Sequence, residues 1–418
     1  MNRSRSRSLI AMRPERLVAV LCAILDGSVW LAAYGATDSE AGAYFSLYYA
    51  VSVSCKAVLL LCFSRTVNVQ NAKILWPFYV PIGISVLASI VMGTTNAEGV
   101  VQPVGVIVSL AMTITFLNGD NVTSYMKAFG ISSVAACGLF FFQLHFVPLN
   151  TALGVSEVVG RYSFVFGSHP NLGGEILFTG FVSFCVARSN TTLIVAIFVV
   201  YFSALNLMES RAAMLSITTA FCIHLYSEKL RLLAVGARFV VLIAAMLVLG
   251  ALCIVFWDKV ADVLLLNNQY RGLGTGYVGR DDHWEAAWET FLQSPFVGVG
   301  FGYFRQDVVT PHSMWMGMLS MMGMMSVFIV IVIFKNSARV YATNYRIFLL
   351  LLSFIPMTVF NDRFLNLNPY PFLLYVLLFL PRGALLAEGG IRDIGRKLRS
   401  GMAGNAFRGW GAGVRTFR

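Results

Sequence analysis

Long apolar runs separated by short polar connections fill this chain almost from end to end, and that alternation restricts the fold more than any other feature. A helix needs roughly 17 to 25 apolar residues to cross a hydrocarbon core. Candidate runs fall at 16–35, 43–63, 74–92, 100–117, 125–147, 172–187, 191–208, 212–226, 232–256, 312–334, 346–360 and 369–387, of which 212–226 and 346–360 are short. Lipid offers no partner for backbone polar groups, so each run is expected to be helical. Only 12% of the residues are charged, against about 25% in soluble domains. The expected fold is therefore an all-α polytopic membrane protein of about twelve transmembrane helices. The first run is long enough to span and lacks a small-residue cleavage site, so it is expected to be a span and not a signal peptide.

Four regions follow from this pattern: an N-terminal bundle of about nine spans over 1–256, a polar segment over 257–311, about three further spans over 312–388, and a basic tail over 389–418. With both ends on one side, twenty-three Lys and Arg fall on that side and seven on the other: Arg161, Arg211, Lys259, Arg271, Arg280, Arg305 and Arg363. The positive-inside rule then puts both termini in the cytoplasm. The same asymmetry, with attraction to anionic lipids, accounts for the net charge of +11 and implies no nucleic-acid partner. The seven cysteines lie in or at the spans, which argues against a disulfide framework, and no Cys/His spacing fits zinc.

Arginines on the cation-poor side need a local cause. Arg161 lies in GRYSFVFGSHPNLGGE and Arg211 in MESRAAML, both at a membrane boundary. Singly, each could contact headgroups or pair with Glu157 or Glu209. Arg280 precedes a stretch in which Asp281 or Asp282 can cap a helix, Trp284, Trp288, Phe291 and Leu292 form one stripe, and Ser294-Pro295 ends it. That helix would lie on the outer membrane surface or pack over the bundle. Its unpaired N–H groups beside a guanidinium suit an anion such as phosphate.

The glycines of PFVGVGFGYF fit close backbone approach or a tight turn and not a dinucleotide fingerprint, because no strand and helix alternation surrounds them. His312 opens the tenth run, and an imidazole there could take a proton from a hydroxyl near neutral pH. His145 and His224 sit on spans and read as interior residues. Asp26 and Lys56 are costly in lipid, so they should face the interior and each other as a structural pair, or serve a transport pathway. The Met-rich run 314–325 reads as helix packing.

In order along the chain, RYSFVFGSHPNLGG, ESRAAML, GRDDHWEAAWETFLQSPFVGVGFGYF and PHSMWMGMLSMMGMM resemble the O-antigen ligase and O-antigen or exopolysaccharide polymerase superfamily of bacterial envelope glycosyltransferases. The resemblance covers mainly 161–330. It implies a GT-C-like all-α fold whose large periplasmic loop contains short amphipathic helices, in the bacterial inner membrane. It also implies metal-independent transfer, without a cofactor, of an undecaprenyl-diphosphate-linked oligosaccharide to a glycan or lipid A-core acceptor at the periplasmic face. By resemblance Arg211 and Arg280, with Arg161 as a third, would bind the diphosphate, and His312 would activate the acceptor. Ser313 stands where the family often has Asn. The GRxxxW arrangement resembles the polymerases more than the ligases. A different class is a twelve-span secondary transporter coupled through Asp26 and Lys56, but no internal repeat between the halves supports it.

Overall fold

The computed structural model describes residues 14–33, 41–64, 68–93, 97–119, 121–151, 154–158, 161–228, 280–301, 312–361, 364 and 369–389. The expected ninth span at 232–256, the segments 257–279 and 302–311, and the tail beyond 389 lie outside the described residues.

Ahead of the polar segment come α1 (Pro14–Gly27), α2 (Ala41–Cys62), α3 (Trp76–Val91), α4 (Ala97–Phe116), α5 (Val122–Phe146), α6 (Pro170–Val186), α7 (Thr191–Leu207) and α8 (Arg211–Glu228). Then follow α9 (Arg280–Gln293), α10 (Met314–Met322), α11 (Met325–Thr343), α12 (Tyr345–Leu352), α13 (Ile355–Phe360), α14 (Pro369–Phe379) and α15 (Arg382–Gly389). Between α5 and α6, Glu157–Val158 and Arg161–Tyr162 form a short antiparallel ladder. Starts follow local chemistry: Asn190 Oδ1 accepts from the Thr192 N–H to cap α7, and Asn344 Oδ1 does the same for α12 through Ile347.

Among the described residues, four helices are long and apolar enough to cross a membrane: Val69–Val91, Gly99–Phe116, Val122–Phe146 and Met325–Thr343. Large apolar side chains stay open on the outside of the bundle, with Val91 86% and Leu61 on α2 80% exposed. Leucine and valine at that exposure have a favourable partner in lipid and none in water. The protein is an all-α membrane protein.

Two helices run through the interior. All of α14, and all of α6 except Asn171, is buried, the signature of a helix apolar around its whole circumference. α6 contacts α5, α7, α8 and α14, and small residues make room for it. A Cβ at Gly180 would overlap the Ser133 side chain on α5, and one at Gly130 would lie 2.7 Å from the Phe184 ring. Between apolar helices in lipid, such close approach supplies the packing attraction.

Asp26 and Lys56 face each other as expected. The Lys56 ammonium donates to the Asp26 carboxylate, to Ser109 Oγ (2.6 Å) and to Thr113 Oγ1 (3.1 Å). Thr113 and Tyr125 donate to the other carboxylate oxygen at 3.0 and 2.8 Å. Every proton of the ammonium is used, so the cluster ties α1, α2, α4 and α5 together without an unmet charge.

Three expectations need correction. The run 312–334 is not one helix: α10 stops at Met322, Gly323 adopts φ +56, and α11 starts at Met325. The run 346–360 likewise divides into α12 and α13 around Ser353. Of the two histidines read as interior, His224 is 1% exposed but His145 is on the open surface of α5. It sits in the last turn of that helix, where an imidazole complements the helix dipole.

Candidate functional site

His312 is held in left-handed backbone (φ 46) just before α10. This conformation is sterically poor for a residue with a Cβ. Its half-buried ring meets that of His283, with centroids 4.8 Å apart and planes at 84°. His283 lies on α9, three residues after Arg280 in sequence. Arg280 opens α9, with Asp282 in its first turn. Acidic residues there complement the helix dipole.

Of the aromatic stripe of α9, Trp288 and Leu292 are exposed while Trp284 and Phe291 are half-buried. Its inner face is small: Ala287 and Thr290 are buried, and α9 packs on α10 through that side. Residues 294–301 then fill the break between α10 and α11. Val299 and Gly300 donate their N–H groups to the Ser320 and Met321 carbonyls, both at 3.0 Å, and Met324 N–H donates to the Pro295 carbonyl at 2.8 Å. Ser85, midway along α3, donates to the Val297 carbonyl at 3.3 Å. Backbone groups freed by a broken helix are thus satisfied within the protein, as non-helical chain at membrane depth requires. Gly298 and Gly300 have φ +75 and +93. A Cβ on Gly298 would stand 2.2 Å from the Met321 carbonyl group. Close backbone approach explains Gly298, and a turn in positive-φ backbone explains both.

Arg161 and Arg211 come from elements that converge on Gly173 in the first turns of α6. Phe164, three residues after Arg161, and Met208, three residues before Arg211, would both clash with a Cβ there, at 2.5 and 2.7 Å. The ladder carrying Arg161 is pinned by Phe164, stacked on Phe140 of α5 at 5.6 Å, and by Gln143 Oε1, which accepts from the Phe166 N–H. The turn before Arg211 places Glu209 at φ 53 and buries Ser210. Arg161 and Arg211 are themselves half-buried. His169 Nδ1 accepts from the Asn171 N–H and caps α6.

A line of contacts joins this half to the histidines. Trp315, three residues after His312, donates from Nε1 to Thr358 Oγ1 on α13 at 3.3 Å. Asn361, at the end of α13, donates to Glu175 Oε1 on α6 at 2.6 Å. Glu175 follows Gly174, where a Cβ would lie 2.3 Å from Ser210 Oγ, and Ser210 precedes Arg211. His312 and Arg211 therefore sit at the same end of α6, α8, α10 and α13. At the opposite end Arg346 of α12 donates to the Cys185 carbonyl at 2.5 Å and pairs with Glu228 at 3.3 Å.

Glu175, Asn361 and the partnership of His283 are given no role by the sequence motifs. Glu175 carried a usable signal, as a carboxylate inside an apolar run. Neither Asn361 nor the ring contact of His283 has one, since both depend on which helices meet. Chemically, guanidinium groups can hold an anion and an imidazole can take up a proton.

Residues 196–314 match the family model described as O-antigen ligase. That span includes Arg211, Arg280 and His312 and supports the O-antigen ligase and polymerase superfamily. No curated protein matches the chain.

Proposed function

We propose, from an O-antigen ligase match that holds both Arg211 and His312, that this protein is a glycosyltransferase of the bacterial inner membrane. Both termini lie in the cytoplasm, about twelve helices cross the bilayer, and the site opens to the periplasm. The donor is an undecaprenyl-diphosphate-linked oligosaccharide. The acceptor is a hydroxyl of a second lipid-linked glycan, which makes the protein an O-antigen or exopolysaccharide polymerase. Surrounding lipids complete its partners.

In this reading Arg211, Arg280 and Arg161 bind the diphosphate. Its negative charge grows as the glycosidic C–O bond breaks, and preorganised guanidinium groups in a partly dry site stabilise that growth. His312 takes the proton of the acceptor hydroxyl, whose oxygen bonds to the anomeric carbon while undecaprenyl diphosphate departs. Fixed arginines and one base meet both needs, so the proposed reaction is independent of metal and chelation leaves its rate unchanged. The observation that most supports the reading is the contact path from Trp315 through Thr358, Asn361 and Glu175, which links the His312 and Arg211 elements.

The test is release of undecaprenyl diphosphate by purified protein given lipid-linked oligosaccharide. His312→Ala should lower turnover about 100-fold or more, and Arg211→Ala and Arg280→Ala should each nearly abolish it while membrane insertion is kept. Full turnover by His312→Ala removes the base role, and full turnover by both arginine variants removes the diphosphate role. A second reading, ligation to lipid A-core, is favoured by the ligase description of the matched family. Supplying lipid A-core as the only acceptor separates the two.

A further inference from the structure

We infer that His283 is a positioning residue for His312, an assignment that rests on the base role proposed above. Three observations carry it. The two rings meet edge to face, with centroids 4.8 Å apart and planes at 84°, an arrangement that aromatic rings favour and that fixes one plane against the other. His312 stands in left-handed backbone, so its ring emerges at an angle that an ordinary helix start does not give. Strained residues of this kind persist only where the surroundings over-determine them. Finally, the helices bearing the two rings are clamped to each other. α9 and α10 pack together, and residues 295–300 lock the far end through bonds to Ser320, Met321 and Met324.

The histidines lie at the opposite, open end of this pair, one near the start of α9 and the other just before α10. The clamp sets the register, and the register brings His283 onto His312. A base must hold its ring plane while it accepts a proton, and a displacement of about 1 Å at such a group can cost on the order of 100-fold in rate. In the transfer step the acceptor proton moves to a His312 ring nitrogen, the acceptor oxygen bonds to the anomeric carbon, and the bond to diphosphate breaks with its electron pair on the leaving group. His283 exchanges no proton and forms no bond.

The experiment uses the full-length protein in detergent, with lipid-linked oligosaccharide extracted from producing cells as probe and released undecaprenyl diphosphate as readout. His283→Ala should lower kcat roughly 10- to 100-fold with the donor KM unchanged. His283→Phe, which keeps a ring for the edge-to-face contact, should restore kcat to within about threefold of the parent. A change confined to folding would alter the yield of active protein and not this division between kcat and KM. Parental kcat in His283→Ala, or equal loss in the Ala and Phe variants, overturns the assignment. If His283→Ala does not fold, His283→Phe decides alone: near-parental kcat supports positioning and a large loss refutes it. His312→Asn is run beside them. If that variant stays active the base role itself fails, whereas a dead His312→Asn with an unaffected His283→Ala sinks only the inference about His283.

Discussion

At the residue scale, His312 combines two demands that one variant can separate. Its backbone has φ 46, a region that Asn and His tolerate better than most side chains and β-branched residues hardly at all. His312→Asn should accordingly fold with an unchanged thermal midpoint and yet lose transfer by about 100-fold or more, because the amide cannot take the acceptor proton. His312→Val should lose both, since the left-handed conformation is then strained by roughly 1–3 kcal/mol. Thermal unfolding in detergent, measured beside turnover, checks the pair. If His312→Asn destabilises the protein as much as His312→Val does, the backbone account is wrong. Glu209 repeats the geometry ahead of Arg211 with φ 53, so both proposed functional residues lie at sharp, non-glycine turns into helices.

At the element scale, the pair α9 and α10 depends on glycine where backbones touch. Adding a methyl at Gly298 would place it 2.2 Å from the Met321 carbonyl group, and φ there is +75. Neither the carbonyl nor the turn can move without breaking the bonds from Val299 and Gly300 to the end of α10. Gly298→Ala should therefore cost about 3 kcal/mol or more and reduce turnover by shifting α9. Gly138, on α5, has nothing within 4 Å of its would-be Cβ. There Ala should be neutral or stabilising by up to about 1 kcal/mol. A Gly298→Ala protein as stable as Gly138→Ala would show that the clamp is not needed. Only the period of α9 was legible beforehand. Trp284, Trp288, Phe291 and Leu292 marked a helix, but not which of its sides meets protein. The stripe is split, with Trp288 and Leu292 exposed and Trp284 and Phe291 half-buried, and the fully buried positions are the small Ala287 and Thr290.

At the scale of the whole molecule, the Asp26 and Lys56 cluster joins four helices and discriminates between a structural pair and a transport pathway. Removing one partner strands a buried charge and typically costs about 3–5 kcal/mol, whereas replacing both by apolar residues is often close to neutral. Lys56→Met should lower the thermal midpoint sharply and Asp26→Leu/Lys56→Met should recover much of it, with transfer by the folded protein kept in the double variant. Loss of transfer in a fully stable double variant would assign the pair a functional role. The sequence by itself determined the membrane class, the helical character of the apolar runs and the motifs that contain Arg161, Arg211, Arg280 and His312, because hydropathy and helix period are local properties. Only the tertiary structure decided that the tenth run breaks at Gly323, that residues 294–301 fill that break, that His283 meets His312, and that Glu175 and Asn361 bridge α6 and α13. Each of these depends on which helices become neighbours. Between helices in lipid that choice is made by close packing and paired polar groups, and hydropathy along the chain carries little trace of either.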